Sequence, residues 1–180
     1  MDDELDPPVG LSTVSQAVSV VDFSEFYDRE MASLVYFVMA LGADGETAAD
    51  VAQSAFVKAF GVWDSLRHPK AWLRRVAQND LSDRWRARQR ETLSDQLPER
   101  TDPLSTALAV ELRAEEREVV AALRMLPVKQ RQALAWCVDG FSPAEIAEAL
   151  GVRPAAVRQN LFKAKRALKA ALESTWRQAR

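Results

Sequence analysis

Cysteine and histidine are almost missing from this 180-residue chain, with Cys137 and His68 the single example of each. One cysteine excludes an internal disulfide, and one histidine excludes a histidine-rich metal centre. Glycine is scarce, six residues in all, and none gather into the loop that cradles a nucleotide phosphate. No apolar run nears the ~20 residues a membrane span needs, and the start Met1-Asp2-Asp3-Glu4 is unlike a signal peptide. The expected location is therefore the cytoplasm, without insertion into a membrane. No carboxylate pair, nucleophile–base pair or metal-ligand set can be assembled, so no catalytic residue, metal or cofactor is expected. Strand signals are nearly absent as well: there is no sustained alternation and no Asn-Gly or Asp-Gly between β-branched runs.

What the chain does have is an ordinary core composition, 48% apolar and 28% charged, with a net charge of −2 that hides strong segregation. Residues 1–30 carry eight acids against one base, a net of −7. Residues 67–90 carry eight bases against Asp80 and Asp83, a net of +6. Residues 91–118 return to eight acids against three bases, −5, and residues 151–180 carry eight bases against Glu173, +7. Solvated helix faces account for most charge runs. Two cationic blocks at corresponding ends of two helical units point instead to two surfaces for a polyanion.

Periodicity predicts helices throughout, an all-α chain of two small domains joined by a flexible linker. Phe23, Tyr27, Met31, Leu34, Val38 and Leu41 repeat at helical spacing until Gly42–Gly45 stops them. A second helix is predicted from Glu46 to Trp63, with Ala48, Ala52, Ala55, Phe56, Ala59 and Phe60 on one side. A third opens near Pro69, turning Leu73, Val76, Ala77 and Leu81 inward and Arg74, Arg75, Arg84 and Arg88 elsewhere. The expected organisation is a disordered acidic segment over 1–21, a first domain over 22–90, a linker over 91–114 and a second domain over 115–180. Asp102-Pro103 reads as a cap and first helical residue leading through Leu104 to Leu126. Pro127 then restarts the chain into a helix carrying Leu134, Ala135 and Val138.

The strongest motif lies at 142–168. Ser142-Pro143-Ala144-Glu145 has the form of a capping box, and Gly151 is placed to end the short helix in a left-handed conformation. A second helix starts near Pro154 and buries Val157, Leu161, Ala164, Leu168 and Leu172. Ala147 permits close crossing, Gly151 makes the turn and Val157 pins the second helix, which together make a helix-turn-helix. Arg153, Arg158, Gln159, Lys163, Lys165 and Arg166 then project outward, the first turn toward base edges and the later cations toward phosphates. A plain helical hairpin with a cationic surface is the duller reading.

Two further stretches carry a family resemblance. Asp50-Val-Ala-Gln53-Ser-Ala-Phe56-Val-Lys58-Ala-Phe60 and Lys70-Ala-Trp72-Leu-Arg74-Arg75-Val-Ala-Gln-Asn79 resemble the extracytoplasmic-function (group IV) sigma factors of bacterial RNA polymerase. Phe141 to Val152, preceded by Leu126-Pro127 and Arg131, is similar to that family's second domain. The resemblance covers about residues 22–90 and 115–172, and implies a transcription initiation factor. By it, the helix with Asp50, Gln53, Phe56, Lys58 and Phe60 would dock on the clamp helices of the polymerase's largest subunit. The segment with Arg67, Lys70, Trp72, Arg74, Arg75, Asn79, Arg84 and Arg88 would bind the −10 element and trap unpaired bases. The helix-turn-helix would bind the −35 duplex and the flap of the second-largest subunit, and an anti-sigma factor would hold the protein inactive. The chain departs from the pattern at Ala155-Ala156, where a Gly-Thr pair is common, and at Asn160, where a cation is frequent.

The chemistry of the residues is compatible with that assignment on its own terms. Opened DNA needs a cationic track and aromatic surfaces for stacking, and residues 67–90 interleave eight cations with Trp72 and Trp85. Asn79 has the donor and acceptor needed to read an unpaired base edge. Each has a plainer alternative: Trp72 as core packing, Asn79 or the Asp50–Gln53 pair as solvent-facing helix residues, Cys137 as a small buried hydrophobe, His68 as a loop residue. Two other functions compete, an autonomous helix-turn-helix regulator reading palindromic operators and a protein-binding helical adaptor whose cations only dress the surface.

Overall fold

The computed structural model describes the backbone of residues 10–92 and 114–178, and side chains over 22–90 and 118–170. Helix α1 runs Gly10–Ala40 and buries Phe26, Leu34, Val35, Phe37 and Val38. It begins inside the stretch 1–21 expected to be disordered; Leu11 to Val21 contain neither Gly nor Pro to interrupt a helix, and residues 1–9 lie outside the described residues. Gly42, at φ +112°, makes the reversal out of α1 that a residue with a Cβ resists.

Helix α2 (Gly45–Phe60) opens on Asp44, whose carboxylate accepts from the Thr47 N–H at 2.8 Å. It buries Ala48, Ala52, Ala55 and Ala59, and these small side chains let it approach α1 closely. The helix stops at Phe60, three residues before the predicted end. Trp63 instead falls in a single 3-10 turn, Trp63–Ser65, with its ring 5.1 Å from Phe23 and 5.0 Å from Phe26. Helix α3 (Pro69–Thr92) starts on proline, whose missing N–H has no intrahelical partner to lose. Leu73, Ala77 and Leu81 complete the first core.

The second unit comprises α4 (Ala114–Arg124), α5 (Val128–Val138), α6 (Pro143–Leu150) and α7 (Pro154–Gln178). The predicted linker and the helix expected after Asp102 fall largely at 93–113, outside the described residues. Both halves of the capping box are formed: Ser142 Oγ accepts from the Glu145 N–H at 3.3 Å, and the Ser142 N–H donates to Glu145 Oε2 at 2.8 Å. The Ser142 hydroxyl, 2.6 Å from Glu145 Oε2, and the Ser142 N–H both donate to the Glu145 carboxylate and hold it below its ordinary pKa. Gly151 is left-handed at φ +64°, and Ile146, Ala147, Val157, Leu161 and Ala164 are buried. Val138, expected to face inward, is exposed; α5 turns Trp136 into the core, and two residues further on is about 200° round the helix.

No strand occurs among the described residues, and no described helix is long and apolar enough to cross a membrane. The architecture is two small helical domains, with α1 packed against α4 and α5, and α3 against α6.

Candidate functional site

Three surfaces and one seam hold the predicted functional residues. The first surface is an exposed stripe along α2. Asp50, Gln53, Val57 and Phe60 recur at intervals of three, four and three residues, so all lie on one side of the helix, opposite the buried alanines. Val57 is 74% exposed and Phe60 57%, with Val62 continuing the apolar end. Phe60 also rests edge-on against Phe23 at 5.0 Å, but most of its ring stays in solvent, and exposed aliphatic and aromatic side chains contiguous on one face mark a contact surface. Phe56 departs from expectation: it is buried, with ring contacts to Phe23, Phe26 and Tyr27, because its place on the helix faces α1. Lys58 is exposed but turns toward α3, with Nζ 4.0 Å from Asp80.

The second surface is the cationic side of α3 and the loop before it. Arg67, Arg75, Asn79 and Arg88 are exposed there, and Trp72 is half-buried. Arg84 is half-buried between two carboxylates, 3.4 Å from Asp80 and 3.9 Å from Asp50. That arrangement ties the cationic helix to the polar end of the α2 stripe.

The third surface is α7 with the turn before it, where Arg153, in the turn, and Arg158, Gln159, Lys163, Lys165 and Arg166, on the helix, are all exposed. Phe162 is exposed among them with the Arg166 guanidinium 5.7 Å from its ring centre, a cation–π pair that sequence reading passed over. The capped, left-handed turn before α7 fixes the angle at which this face is presented.

Arg74 and Lys70 lie apart from these surfaces. Arg74, expected on the DNA-facing side, has no exposed surface and sits between the two units. Its guanidinium contacts Glu30 at 2.8 Å, Asp139 at 2.8 and 3.2 Å, and Ser33 Oγ at 2.6 Å. Burying a guanidinium is tolerable only with this degree of pairing. Lys70, half-buried, donates to the Asp139 carbonyl at 2.9 Å. Trp136 crosses the same seam, donating from Nε1 to Gln78 at 2.8 Å and packing edge-on against Phe37. Glu30, Ser33, Gln78, Trp136 and Asp139 were all missed. A usable signal existed for Arg74, which shares the buried face of Ala77 and Leu81 at spacings of three and seven.

An open cleft of about 1010 Å³ lies beside this seam, lined by Phe26, Leu66, Lys70, Trp72, Phe141 and Glu148 among others.

Residues 26–91 match the family described as Sigma-70 region 2, and residues 116–168 match Sigma-70, region 4. The RNA polymerase sigma-E factor of Streptomyces avermitilis is 32% identical over 86% of this chain and 87% of its own. The ECF RNA polymerase sigma factor SigL of Mycobacterium tuberculosis is 30% identical over 82% of this chain and 86% of its own. The chain belongs to the ECF sigma factors of bacterial RNA polymerase.

Two solved structures share the fold. Sigma factor RpoE of Bartonella quintana, crystallised with the anti-sigma factor NepR, superposes with a TM-score of 0.67 at 23% identity, covering 84% of this chain and 97% of that one. CnrH, solved with the cytosolic domain of CnrY, gives 0.59 at 24% identity, covering 84% and 88%. As a sigma factor the chain is a transcription initiation factor: it binds core RNA polymerase, recognises −10 and −35 promoter elements and promotes melting. Region 2 spans α1 to α3, and region 4 spans α4 to α7.

Proposed function

We propose a division of labour among these surfaces. The α2 stripe of Asp50, Gln53, Val57 and Phe60 docks on the clamp helices of the polymerase's largest subunit, with Lys58 at its edge. Residues 22–90 act as one unit that also binds the −10 element. Arg67, Arg75, Arg84 and Arg88 track the phosphates, Trp72 offers a stacking face and Asn79 reads an unpaired base. Lys70 and Arg74 join this surface only when the seam opens. Residues 115–180 bind the −35 duplex through Arg153, Arg158, Gln159, Lys163, Lys165 and Arg166 and meet the flap of the second-largest subunit. Residues 91–114 link the two. The protein works in the cytoplasm, is not an enzyme by itself, needs no cofactor, and is held in check by an anti-sigma factor. The observation that carries this reading is the presence of two cationic faces on separate helical units, one on a capped helix-turn-helix.

Asn79→Ala tests the first unit. Permanganate-detected melting should fall about tenfold, the worth of one good base contact, while −35 duplex binding stays unchanged. Undiminished melting would contradict the base-reading role. On the second unit, Arg158→Ala should cost about 1–3 kcal/mol and relax preference at one base pair. Lys165→Ala should weaken all sequences alike and lower the salt slope by about one unit, measured by titration at several salt concentrations. Equal loss of sequence preference in both variants would overturn that distinction.

A further inference from the structure

The seam between regions 2 and 4 withdraws two cations from the face that α3 offers to DNA. Arg74 is gripped from both sides, by Glu30 of α1 within its own unit and by Asp139 at the end of α5. Ser33 ties the two grips together, its hydroxyl donating to Asp139 at 3.1 Å while accepting from Arg74. Lys70 reaches the same place, 2.9 Å from the Asp139 carbonyl oxygen and 3.6 Å from its carboxylate. Asp139 is the one acid from the second unit in this network, so its carboxylate is the charge on which both cations converge.

The other end of the seam is less well satisfied. Arg124 donates to the Ala43 carbonyl, and the Arg131 guanidinium packs 3.2 Å from where a side chain on Gly42 would begin. The Nε atoms of Arg124 and Arg131 are both buried without a hydrogen-bond partner among the described residues. Burial pulls both guanidinium pKa values down, in Arg124 against the attraction of Asp44. At the Arg74 end the Nη1 atom and Glu30 Oε2 meet only as an ion pair, also outside hydrogen-bond geometry, but Nε and Nη2 are bonded to Asp139 and Ser33. A seam that buries this many imperfectly paired charges gains little net stability from them and can come apart. Two units in contact also cannot occupy promoter elements that lie tens of ångströms apart.

We propose that the Asp139 grip on Arg74 and Lys70 is a latch that keeps the free sigma factor closed. It opens when the units separate on the polymerase, returning Lys70 and the outer edge of Arg74 to the DNA-binding face. The inference rests on the division of labour above for its consequence, though not for its existence. Trp136 and Phe37 give the closed form its apolar area, and the Asp139 network gives it its specificity.

The test is a distance measurement on the full chain without polymerase. Spin labels at Gln89→Cys and Ala167→Cys, both exposed, in a Cys137→Ala background report the separation of α3 and α7. The closed form predicts one narrow distribution. Asp139→Ala should broaden it and shift it to longer distances with helix content unchanged, Lys70→Ala should do so partly, and Asp139→Glu should restore most of the narrow population. Apparent affinity for core polymerase should rise by the fraction the closed form withheld, about tenfold if that form holds nine-tenths of the free chain. A broad distribution already present in the parent chain, or a narrow one that survives both alanine substitutions, would overturn the latch. Opening in Asp139→Ala without any binding to core polymerase would uphold the latch and overturn the functional reading instead.

Discussion

Phe60→Asp should reduce the affinity of this sigma factor for core polymerase by about a hundredfold or more, and Val57→Asp should come close to it. Phe60 and Val57 form the exposed apolar end of the α2 stripe, and α2 buries its other side through alanines. A carboxylate at the centre of such a contact loses the anchor and adds a desolvated charge, and central anchors of this kind carry about 2–4 kcal/mol or more. Val57 supports no core contact, so its variant should keep both helix content and melting temperature; Phe60 also packs edge-on against Phe23 at 5.0 Å, so its variant should keep helix content with a small drop in melting temperature. Asp50→Arg with Gln53→Ala should give a smaller loss, because that end of the stripe is polar. Co-purification assays with core enzyme measure both. Undiminished association of Phe60→Asp would remove α2 from the polymerase contact.

Deleting six residues between Thr92 and Thr101 should abolish transcription at promoters of ordinary spacing. From the end of α3 at Thr92 to the start of α4 at Ala114 there are 22 Cα-to-Cα steps. At ~3.3–3.6 Å each, that chain reaches at most about 79 Å, and the shortened one about 58 Å. Elements about 17 base pairs apart at ~3.4 Å per pair lie roughly 58 Å apart along the duplex. The parent chain spans that distance with room for bends; the shortened one would reach it only with every residue fully extended, which leaves nothing for a bend or a helical turn. Core binding, and −35 binding by region 4, should survive the deletion. Run-off transcripts at the original spacing would show that the domains themselves bridge the gap.

What was legible in the sequence divides along a physical line. The helix-turn-helix is specified locally: the Ser142 cap, the Glu145 partner three residues on and the left-handed Gly151 each satisfy backbone groups within one turn, so spacing alone reveals them. The outward placement of the five residues on α7 follows from its helical register, and Arg153 stands in the exposed turn just before it. Phe56 and Phe60 were less separable, since both are aromatic residues on one helix; their different fates depend on where α1 lies. Arg74 was the largest departure. A helical wheel places it beside Ala77 and Leu81, but cation chemistry argues for solvent, and what overrides that argument is Asp139 arriving from 65 residues away. Trp136 likewise reads as a core aromatic from its neighbours, whereas its Nε1 partner Gln78 lies on the other unit. Local chemistry shows which surfaces exist; the pairing of distant elements decides which of them are covered.

The central claim is that this chain directs core RNA polymerase to promoters, and run-off transcription with purified core enzyme tests it most directly. With templates drawn from a random promoter library, defined transcripts should appear only when the chain is added. Their start sites should share two upstream elements at a fixed spacing, and Phe60→Asp should eliminate them. No added transcript, together with tight binding of the chain alone to a palindromic duplex, would contradict the account and favour an autonomous helix-turn-helix regulator.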